Sequence, residues 1–219
     1  MEFVHRYWVK ETNCPSYAGG YDQRVSENVV YHKELCTLAH SLELRHATAK
    51  TIVSALAVPS NIDVLFLLSV PNSFKRSLLS SASLLIYTPR NEHFGIVPLE
   101  SMLAGVPVLA ANEGGPRETV INGKTGWLRD VNKVDDWTAI IQSVITGAVP
   151  SEVLYRMGQD GKNRVREMFS KAKMASRFEL EIDNIMKANR PSIITQDLWI
   201  LGLIVVGSFA GLCYPLLAR

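Results

Sequence analysis

Residues 82–111 read ASLLIYTPRNEHFGIVPLESMLAGVPVLAA, and this stretch decides the fold. Its two ends, 82–87 and 106–111, are short continuous apolar runs, typical of strands that are buried on both faces of a parallel sheet. The middle, 94–104, predicts a helix that ends at Gly105, because glycine commonly terminates helices in the left-handed conformation. A strand, a helix and a second strand in this order predict a right-handed βαβ unit.

The same alternation continues on both sides of this unit. Short apolar runs predict two further strands. The secondary structure of residues 47–57 is ambiguous, and a further helix is one interpretation. Apolar residues at helical spacing predict several helices. The strands are expected at 63–70 and 125–128, and the helices at 25–44, 72–81, 116–121, 134–146, 153–168 and 172–188. The pattern therefore predicts an α/β fold, with a Rossmann-like parallel sheet flanked by helices.

Three segments are expected along the chain: a poorly specified N-terminal segment at 1–16, a nucleotide-binding domain at 17–190, and an apolar helix at 198–218. The last segment carries no charged side chain. At about 1.5 Å per residue it spans roughly 30 Å, the thickness of a bilayer core. We predict a transmembrane helix, with a buried core helix as the alternative. Lys187 and Arg190 precede it and favour a cytosolic main domain.

Composition excludes several classes of protein. The chain has 219 residues, of which 47% are hydrophobic and 20% charged, which is too apolar for a disordered chain. Its three cysteines form no CxxC pair, so neither a disulfide scaffold nor a zinc ribbon is indicated. The net charge of +2, without a lysine or arginine block, predicts no nucleic-acid partner.

Two loops follow predicted strands and lead into predicted helices. In an open α/β sheet, ligands bind beyond the carboxyl ends of the strands, where the loops 88–95 and 112–116 would lie. Helix N-termini there offer unpaired N–H groups and a positive dipole end. Glycines at 95, 114 and 115 would let a ligand approach the backbone. A phosphate or pyrophosphate is the ligand that suits such a site.

Two carboxylates flank the first loop. Glu92 lies in the loop, and Glu100 lies about a turn and a half into the following helix, so both could point into one cleft. A carboxylate accepts hydrogen bonds from sugar hydroxyls without a metal. An isolated glutamate is more often a solvated surface charge, but these two occupy the edge of the sheet where ligands bind.

These residues carry a resemblance to a known family. Residues 91–100, NEHFGIVPLE, resemble the E-x7-E motif of retaining glycosyltransferases with the GT-B fold, as do SMLAGVPV at 101–108 and GGP at 114–116. The run AGGYDQRV at 18–25 is similar to the mannosyltransferases that act on dolichol-linked oligosaccharides. The likeness extends from about residue 18 to residue 189, and its E-x7-E run is the most specific part.

The resemblance implies a role for each matching residue. Glu92 would be the catalytic-site carboxylate that binds hydroxyls of the donor mannose, and Glu100 would hold the nucleotide ribose. The remaining donor-binding positions would meet the pyrophosphate or shape the second loop: Gly95, Ile96, Val97, Gly114 and Gly115.

The implied reaction adds α-1,3 and α-1,6 mannose to a lipid-linked precursor of N-glycans. The donor would be GDP-mannose, and the acceptor a dolichol-linked mannosyl-chitobiose. The expected location is the endoplasmic reticulum membrane, with the main domain facing the cytosol. Enzymes of this type need no metal or other cofactor, and none is predicted.

A complete enzyme of this fold has two Rossmann-like domains, whereas this chain resembles only the donor half, incomplete at its N-terminus. We therefore expect a truncated chain with little transferase activity alone, for which a partner chain could supply the acceptor domain. The alternative is an inactive, membrane-anchored remnant that binds nucleotide sugar or a partner subunit. An epimerase-like dinucleotide-binding protein is disfavoured, since no G-x-G-x-x-G follows an early strand.

Overall fold

A computed structural model describes residues 5–9, 15–19 and 21–188. The chain divides after Ser170 into two compact units, and the second unit consists, within the described residues, of the helix α8. The elements in chain order are β1 His5–Val9, β2 Pro15–Gly19, α1 Ser26–Ser41, β3 His46–Ala49, α2 Ile52–Leu56, β4 Val64–Leu68, α3 Asn72–Ser81, β5 Ala82–Tyr87, α4 Ile96–Ala104, β6 Val108–Ala111, α5 Pro116–Thr119, β7 Gly126–Arg129, α6 Val134–Ile145, α7 Ser151–Met168 and α8 Lys171–Lys187.

The first unit is built on one seven-stranded sheet with the strand order β3-β4-β2-β1-β5-β6-β7. Strand β1 runs antiparallel to both of its neighbours, and the other described pairs are parallel. Only residues 10–14 separate β1 from β2, and a parallel pair needs a crossover of roughly a dozen residues or more. The sheet is therefore mixed, which corrects the expectation of a purely parallel one.

The N-terminal part of the sheet departs most from the sequence predictions. Two strands, β1 and β2, include residues 5–9 and 15–16 of the segment 1–16 that the sequence leaves poorly specified. The ambiguous stretch 47–57 contains the end of an edge strand followed by a short helix, so its helical interpretation holds only in part. Thr51 separates the two elements, because its side chain accepts from the N–H of Ser54 and begins α2 with a capping box.

Helices cover both faces of the sheet, as alternate residues of its central strands show. On β5, Leu85 packs with Met102 of α4 in one buried cluster, while Leu84 packs with Trp137 of α6 in another. Successive side chains of a strand point to opposite faces, so these two clusters are the two layers of the core. The predicted Rossmann-like α/β arrangement is confirmed.

Helices α4 and α7 approach each other very closely. A Cβ atom at Gly158 would collide with the carbonyl oxygen of Gly105, and one at Gly161 would lie 3.0 Å from the side chain of Met102. Gly105 ends α4 in the left-handed conformation at φ 85°, as predicted from the sequence. The two glycines of α7 thus fix the packing of the helix that carries Glu100.

The apolar run 198–218 lies outside the described residues. In the part of the chain that the structure describes, no helix combines the length and the apolar character needed to cross a membrane.

Candidate functional site

The loops after β5 and β6 contact each other directly. The two strands are parallel neighbours, so their carboxyl ends meet at one edge of the sheet. The N–H of Gly115 donates to the carbonyl oxygen of Glu92 at 2.7 Å. A Cβ atom at Gly114 would collide with that same oxygen, and one at Gly115 with the backbone of Phe94. The glycine pair is therefore required for packing of one loop on the other, whereas the sequence had suggested approach of a ligand.

An open cleft of about 660 Å³ lies between these loops. Its lining residues come from the first loop, the second loop and α5: Asn91, Glu92, His93, Gly114, Arg117 and Glu118. Arg117 supplies positive charge and Glu92 and Glu118 supply negative charge, so the cleft offers groups for both phosphates and hydroxyls. Of the predicted donor-binding residues, Glu92 and Gly114 line it.

The carboxylate of Glu92 has a hydrogen-bond partner at the last residue of β5. The hydroxyl of Tyr87, a side chain that is only 3% exposed, donates a hydrogen bond to Glu92. Burial, followed by the negative charge of Glu92, raises the pKa of Tyr87 well above its usual value. The phenol therefore remains a donor at any physiological pH, and it orients the carboxylate of Glu92.

The first loop ends in a helix N-terminus suited to an anion. Gly95 adopts φ 77° as the N-cap of α4, and no side chain caps this helix. The N–H groups of Ile96 and Val97 belong to the first turn, where no intrahelical acceptor exists, and Pro98 has no N–H. The pyrophosphate contact of Gly95, Ile96 and Val97 stays a prediction.

The second loop offers less than the sequence suggests. The helix that follows it, α5, is a single turn of four residues that begins with Pro116. Proline has no N–H, and the N–H of Gly115 is already donated to Glu92. The helix end at α5 therefore offers fewer free N–H groups than expected, and anion binding at α4 stays a prediction.

Glu100 has a partner that sequence reasoning missed. The Nζ atom of Lys75, on α3, lies 2.7 Å from Oε1 and 2.9 Å from Oε2 of Glu100. The side chains of Lys75 and Glu100 are 24% and 34% exposed, so the pair is partly buried. Glu100 does not line the cleft that contains Glu92. Whether both carboxylates meet one ligand stays a prediction.

The sequence could have pointed to Lys75, but weakly. Residues 72–81 are predicted as a helix that follows the strand 63–70, so Lys75 is expected near the carboxyl edge of the sheet. Nothing in the spacing shows that α3 and α4 lie side by side, because Lys75 and Glu100 are 25 positions apart. The contact depends on tertiary packing, which a local pattern does not encode.

Two arginines support the loops. Nε of Arg90 lies 3.4 Å from Oε1 of Glu113, which links the first loop to the second. Arg164 of α7 donates from Nε to the carbonyl oxygen of Thr119 at 2.9 Å, and from Nη2 to the carbonyl oxygen of Glu118 at 2.6 Å. Arg164 thereby anchors the C-terminal end of α5.

Metal ligands are not grouped in the part of the chain that the structure describes. No cluster of three or more His, Cys, Asp or Glu side chains there could hold an ion. The expectation that the protein uses no metal or other cofactor stays a prediction.

Solved structures share the fold. The HepE protein of Anabaena in complex with UDP and glucose matches with a TM-score of 0.59 and 19% identity, over 81% of this chain and 45% of that chain. Sucrose-phosphate synthase from Thermosynechococcus elongatus matches with a TM-score of 0.58 and 21% identity, over 80% of this chain and 39% of that chain. At this level of identity the likeness shows a Rossmann fold of the GT-B type.

Sequence relatives are closer. The alpha-1,3/1,6-mannosyltransferase alg-2 of Neurospora crassa is 56% identical over 174 residues, which cover 78% of this chain and 37% of the relative. The Saccharomyces cerevisiae alpha-1,3/1,6-mannosyltransferase is 40% identical over 185 residues, which cover 77% of this chain and 36% of the relative. The chain thus spans little more than a third of the length of these relatives.

A family model described as glycosyl transferases group 1 matches residues 32–164. That range contains the loops after β5 and β6, both glutamates of the E-x7-E run and Lys75. The resemblance inferred from the sequence motifs is confirmed: this chain belongs to the group 1 family of glycosyl transferases.

Proposed function

We propose that this chain binds GDP-mannose and forms the donor half of a retaining mannosyltransferase. The observation that carries the proposal is the position of Glu92. Glu92 lines the cleft between the two loops, three residues before the uncapped N-terminus of α4 at Gly95. A sugar diphosphate lying across this edge would put its anionic part at α4 and its hydroxyls at Glu92.

Glu92 is the proposed contact to the hydroxyls of the donor mannose. Its carboxylate accepts from Tyr87 and retains capacity for further donors, since an ionised carboxylate has about four lone-pair positions. Arg117, which also lines the cleft, would attract the negative charge of the diphosphate. Glu100, in the second turn of α4, is the proposed partner of the ribose.

The proposed reaction moves the mannosyl group from GDP to a hydroxyl of a dolichol-linked mannosyl-chitobiose, with retained α configuration and GDP as the leaving group. Support comes from the relatives, which are named as alpha-1,3/1,6-mannosyltransferases. The proposed location is the endoplasmic reticulum membrane with the domain facing the cytosol. Anchorage by residues 198–218 is part of this proposal.

Donor binding is tested by calorimetric titration of the purified chain with GDP-mannose. We expect Glu92→Ala and Glu100→Ala each to weaken binding roughly tenfold or more, because each removes a hydrogen bond to a charged acceptor. Glu152→Ala is the matched control, since Glu152 is exposed in the first turn of α7 and lines no part of the cleft. If both Glu92→Ala and Glu100→Ala bound GDP-mannose as tightly as the wild type, the proposed donor site would be wrong.

Transfer of mannose to an acceptor is tested separately from donor binding. The second candidate function is binding of nucleotide sugar without transfer. Transfer of mannose to the lipid acceptor is measured with the chain alone, and then with a separately expressed acceptor domain of a relative. Activity that appears only with the added domain supports a donor half that needs a partner chain, and activity of the chain alone would refute the binding-only function.

A further inference from the structure

We propose that Lys75 is a positioning residue for ribose recognition, acting through the carboxylate of Glu100. This inference rests on the donor site proposed above and adds to it a residue outside the E-x7-E run. The carboxylate would bind the ribose, and the ammonium group on the neighbouring helix would keep that carboxylate in the orientation that the ribose needs.

The geometry of the pair supports this role. One Nζ atom lies within hydrogen-bond distance of both carboxylate oxygens of Glu100, at 2.7 and 2.9 Å. Such a contact fixes the plane of the carboxylate, whereas a contact to a single oxygen would let it rotate. Both side chains are partly buried, at 24% and 34% exposed, so water has only partial access to the pair. A glutamate on a solvated helix face without such a partner samples several rotamers.

The pair also leaves room for a ligand. An ionised carboxylate offers about four lone-pair positions, and the contacts to Lys75 occupy one on each oxygen. Two positions therefore remain, and a ribose 2′,3′-diol has two hydroxyl donors. Lys75 need not leave for the diol to bind, so the ion pair and the sugar contact can exist together.

Lys75 lies where such a role is possible. It is the fourth residue of α3, the helix that follows β4, and Glu100 is the fifth residue of α4, the helix that follows β5. Both positions are near the carboxyl edge of the sheet, where ligands of this fold class bind. The two residues thus meet at the binding edge of the domain.

A purely structural role explains the pair less well. Contact of α3 with the core is already provided by Leu79, which is buried, and by Phe74 and Leu78, which pack against the same cluster. Ion pairs with access to solvent contribute little to stability. Loss of the ammonium group should therefore leave the fold intact and release the Glu100 side chain.

The test compares the affinities of GDP and 2′,3′-dideoxy-GDP, measured by calorimetry. Their ratio reports recognition of the ribose hydroxyls and is insensitive to general weakening of the site. We expect the wild-type chain to prefer GDP roughly tenfold or more, and Glu100→Gln to lose most of this preference. Lys75→Gln and Lys75→Met should each lower the ratio several-fold with the affinity for 2′,3′-dideoxy-GDP unchanged, and Lys75→Arg should restore part of it.

A double mutant and a neighbouring control complete the design. The variant Lys75→Gln/Glu100→Gln should have the same ratio as Glu100→Gln alone, since Lys75 acts only through that carboxylate. Arg76→Gln, which removes an exposed positive charge next to Lys75, should retain the wild-type ratio. Circular dichroism and thermal unfolding verify that each variant is folded, and Lys75→Met preserves the packing of the side-chain stem.

The outcomes separate the two proposals. The role of Lys75 is overturned if its folded variants keep the wild-type ratio of the two affinities, or if they bind both nucleotides more weakly by the same factor. In either case, a loss of preference for GDP in Glu100→Gln still supports the donor site. A wild-type chain that binds both nucleotides equally well overturns the ribose contact of Glu100, and the role of Lys75 with it.

Discussion

The sheet has two sides, meaning the two ends of its strand order, with β5 and β6 on one side and β3 with α2 on the other. These two sides differ in how tightly they are packed. Around β5 and β6, the strands are buried on both faces, and α4 and α7 approach so closely that only glycine fits at Gly158. At the opposite side, the short helix α2 leaves Val53 and Leu56 78% and 77% exposed. The candidate site lies on the tightly packed side. A binding site gains precision when its residues are supported by rigid elements, which is what this side provides.

This difference predicts that the same kind of change has unequal effects on the two sides. Substitutions around α4 and α7 should alter both stability and nucleotide binding, whereas those around α2 and β3 should alter neither strongly.

Gly158→Ala should produce the largest loss of stability. Its new Cβ would collide with the carbonyl oxygen of Gly105, and backbone cannot yield as a side chain can. We expect the free energy of unfolding to fall by about 3 kcal/mol, as for an overpacked core. Urea unfolding measures this. Gly161→Ala is the matched control, with about 1 kcal/mol expected, because its new Cβ would meet the flexible side chain of Met102. Equal effects at the two positions would contradict the proposed close approach.

Gly115→Ala should separate the two loops. Its new Cβ would collide with the backbone of Phe94, so the hydrogen bond from Gly115 to Glu92 would lengthen or break. We expect a loss of about 2 kcal/mol of stability and a GDP-mannose affinity reduced roughly tenfold. Gly123→Ala is the control: its φ of +78° costs stability, but no atom lies within 4 Å of its Cβ, and binding should not change. Unchanged binding in Gly115→Ala would separate the loop contact from the site.

Tyr87→Phe should affect the sugar more than the nucleotide. Removal of the hydroxyl deletes the hydrogen bond that orients Glu92, while the ring still fills its buried place. We expect GDP-mannose to bind roughly three- to tenfold more weakly, with the affinity for GDP unchanged. Because the pKa of Tyr87 is raised, this difference between wild type and variant should persist from pH 7 to pH 10. A phenol with the ordinary pKa of about 10 is half ionised at pH 10, so a difference that falls by half at that pH would contradict the raised pKa.

The sequence predicted some parts of the fold and missed others, and the difference depends on whether the signal is local. Strand β5 and helix α3 are found where the sequence predicts them, and Gly105 ends α4 as expected. Their signals are local, since a continuous apolar run between turn residues needs no distant partner to be recognised. The pairing of β1 with β5 was not predictable, because residues far apart in sequence decide it.

The site shows the same limit. Glu92 and Gly95 were predicted as site residues from a motif of ten residues, and the structure adds Tyr87, only five positions away from Glu92. Lys75 and Arg164 were missed because their partners are 25 and 45 positions away, respectively. The glycine pair was found for a different reason from the one the structure gives. A sequence pattern identified these positions, but the atoms that they contact depend on tertiary packing.

On the less tightly packed side, the stabilisation by the ion pair between Arg45 and Asp63 should depend on pH. Arg45, which precedes β3, donates from Nε at 2.8 Å and Nη2 at 2.7 Å to Asp63, which precedes β4, and holds the pKa of Asp63 at about 2. A lowered pKa in the folded state stabilises the fold above the unfolded-state pKa of roughly 4, and this contribution is lost as the pH falls through about 2. Asp63→Asn should therefore lower the urea midpoint at pH 7 but not at pH 1.5. An equal difference at both pH values would exclude the ion pair as its cause.

Leu56→Ser should have the smallest effect. The side chain is 77% exposed at the end of α2, so removal of its apolar atoms deletes little packing. We expect a change within about 0.5 kcal/mol in the free energy of unfolding and no change in GDP-mannose affinity, as is usual for surface positions. Leu79→Ser, at a leucine that is buried in α3, is the contrasting variant and should cost several times more. If Leu56→Ser were as costly as Leu79→Ser, α2 would have to be covered in solution, and the two sides of the sheet would be packed alike.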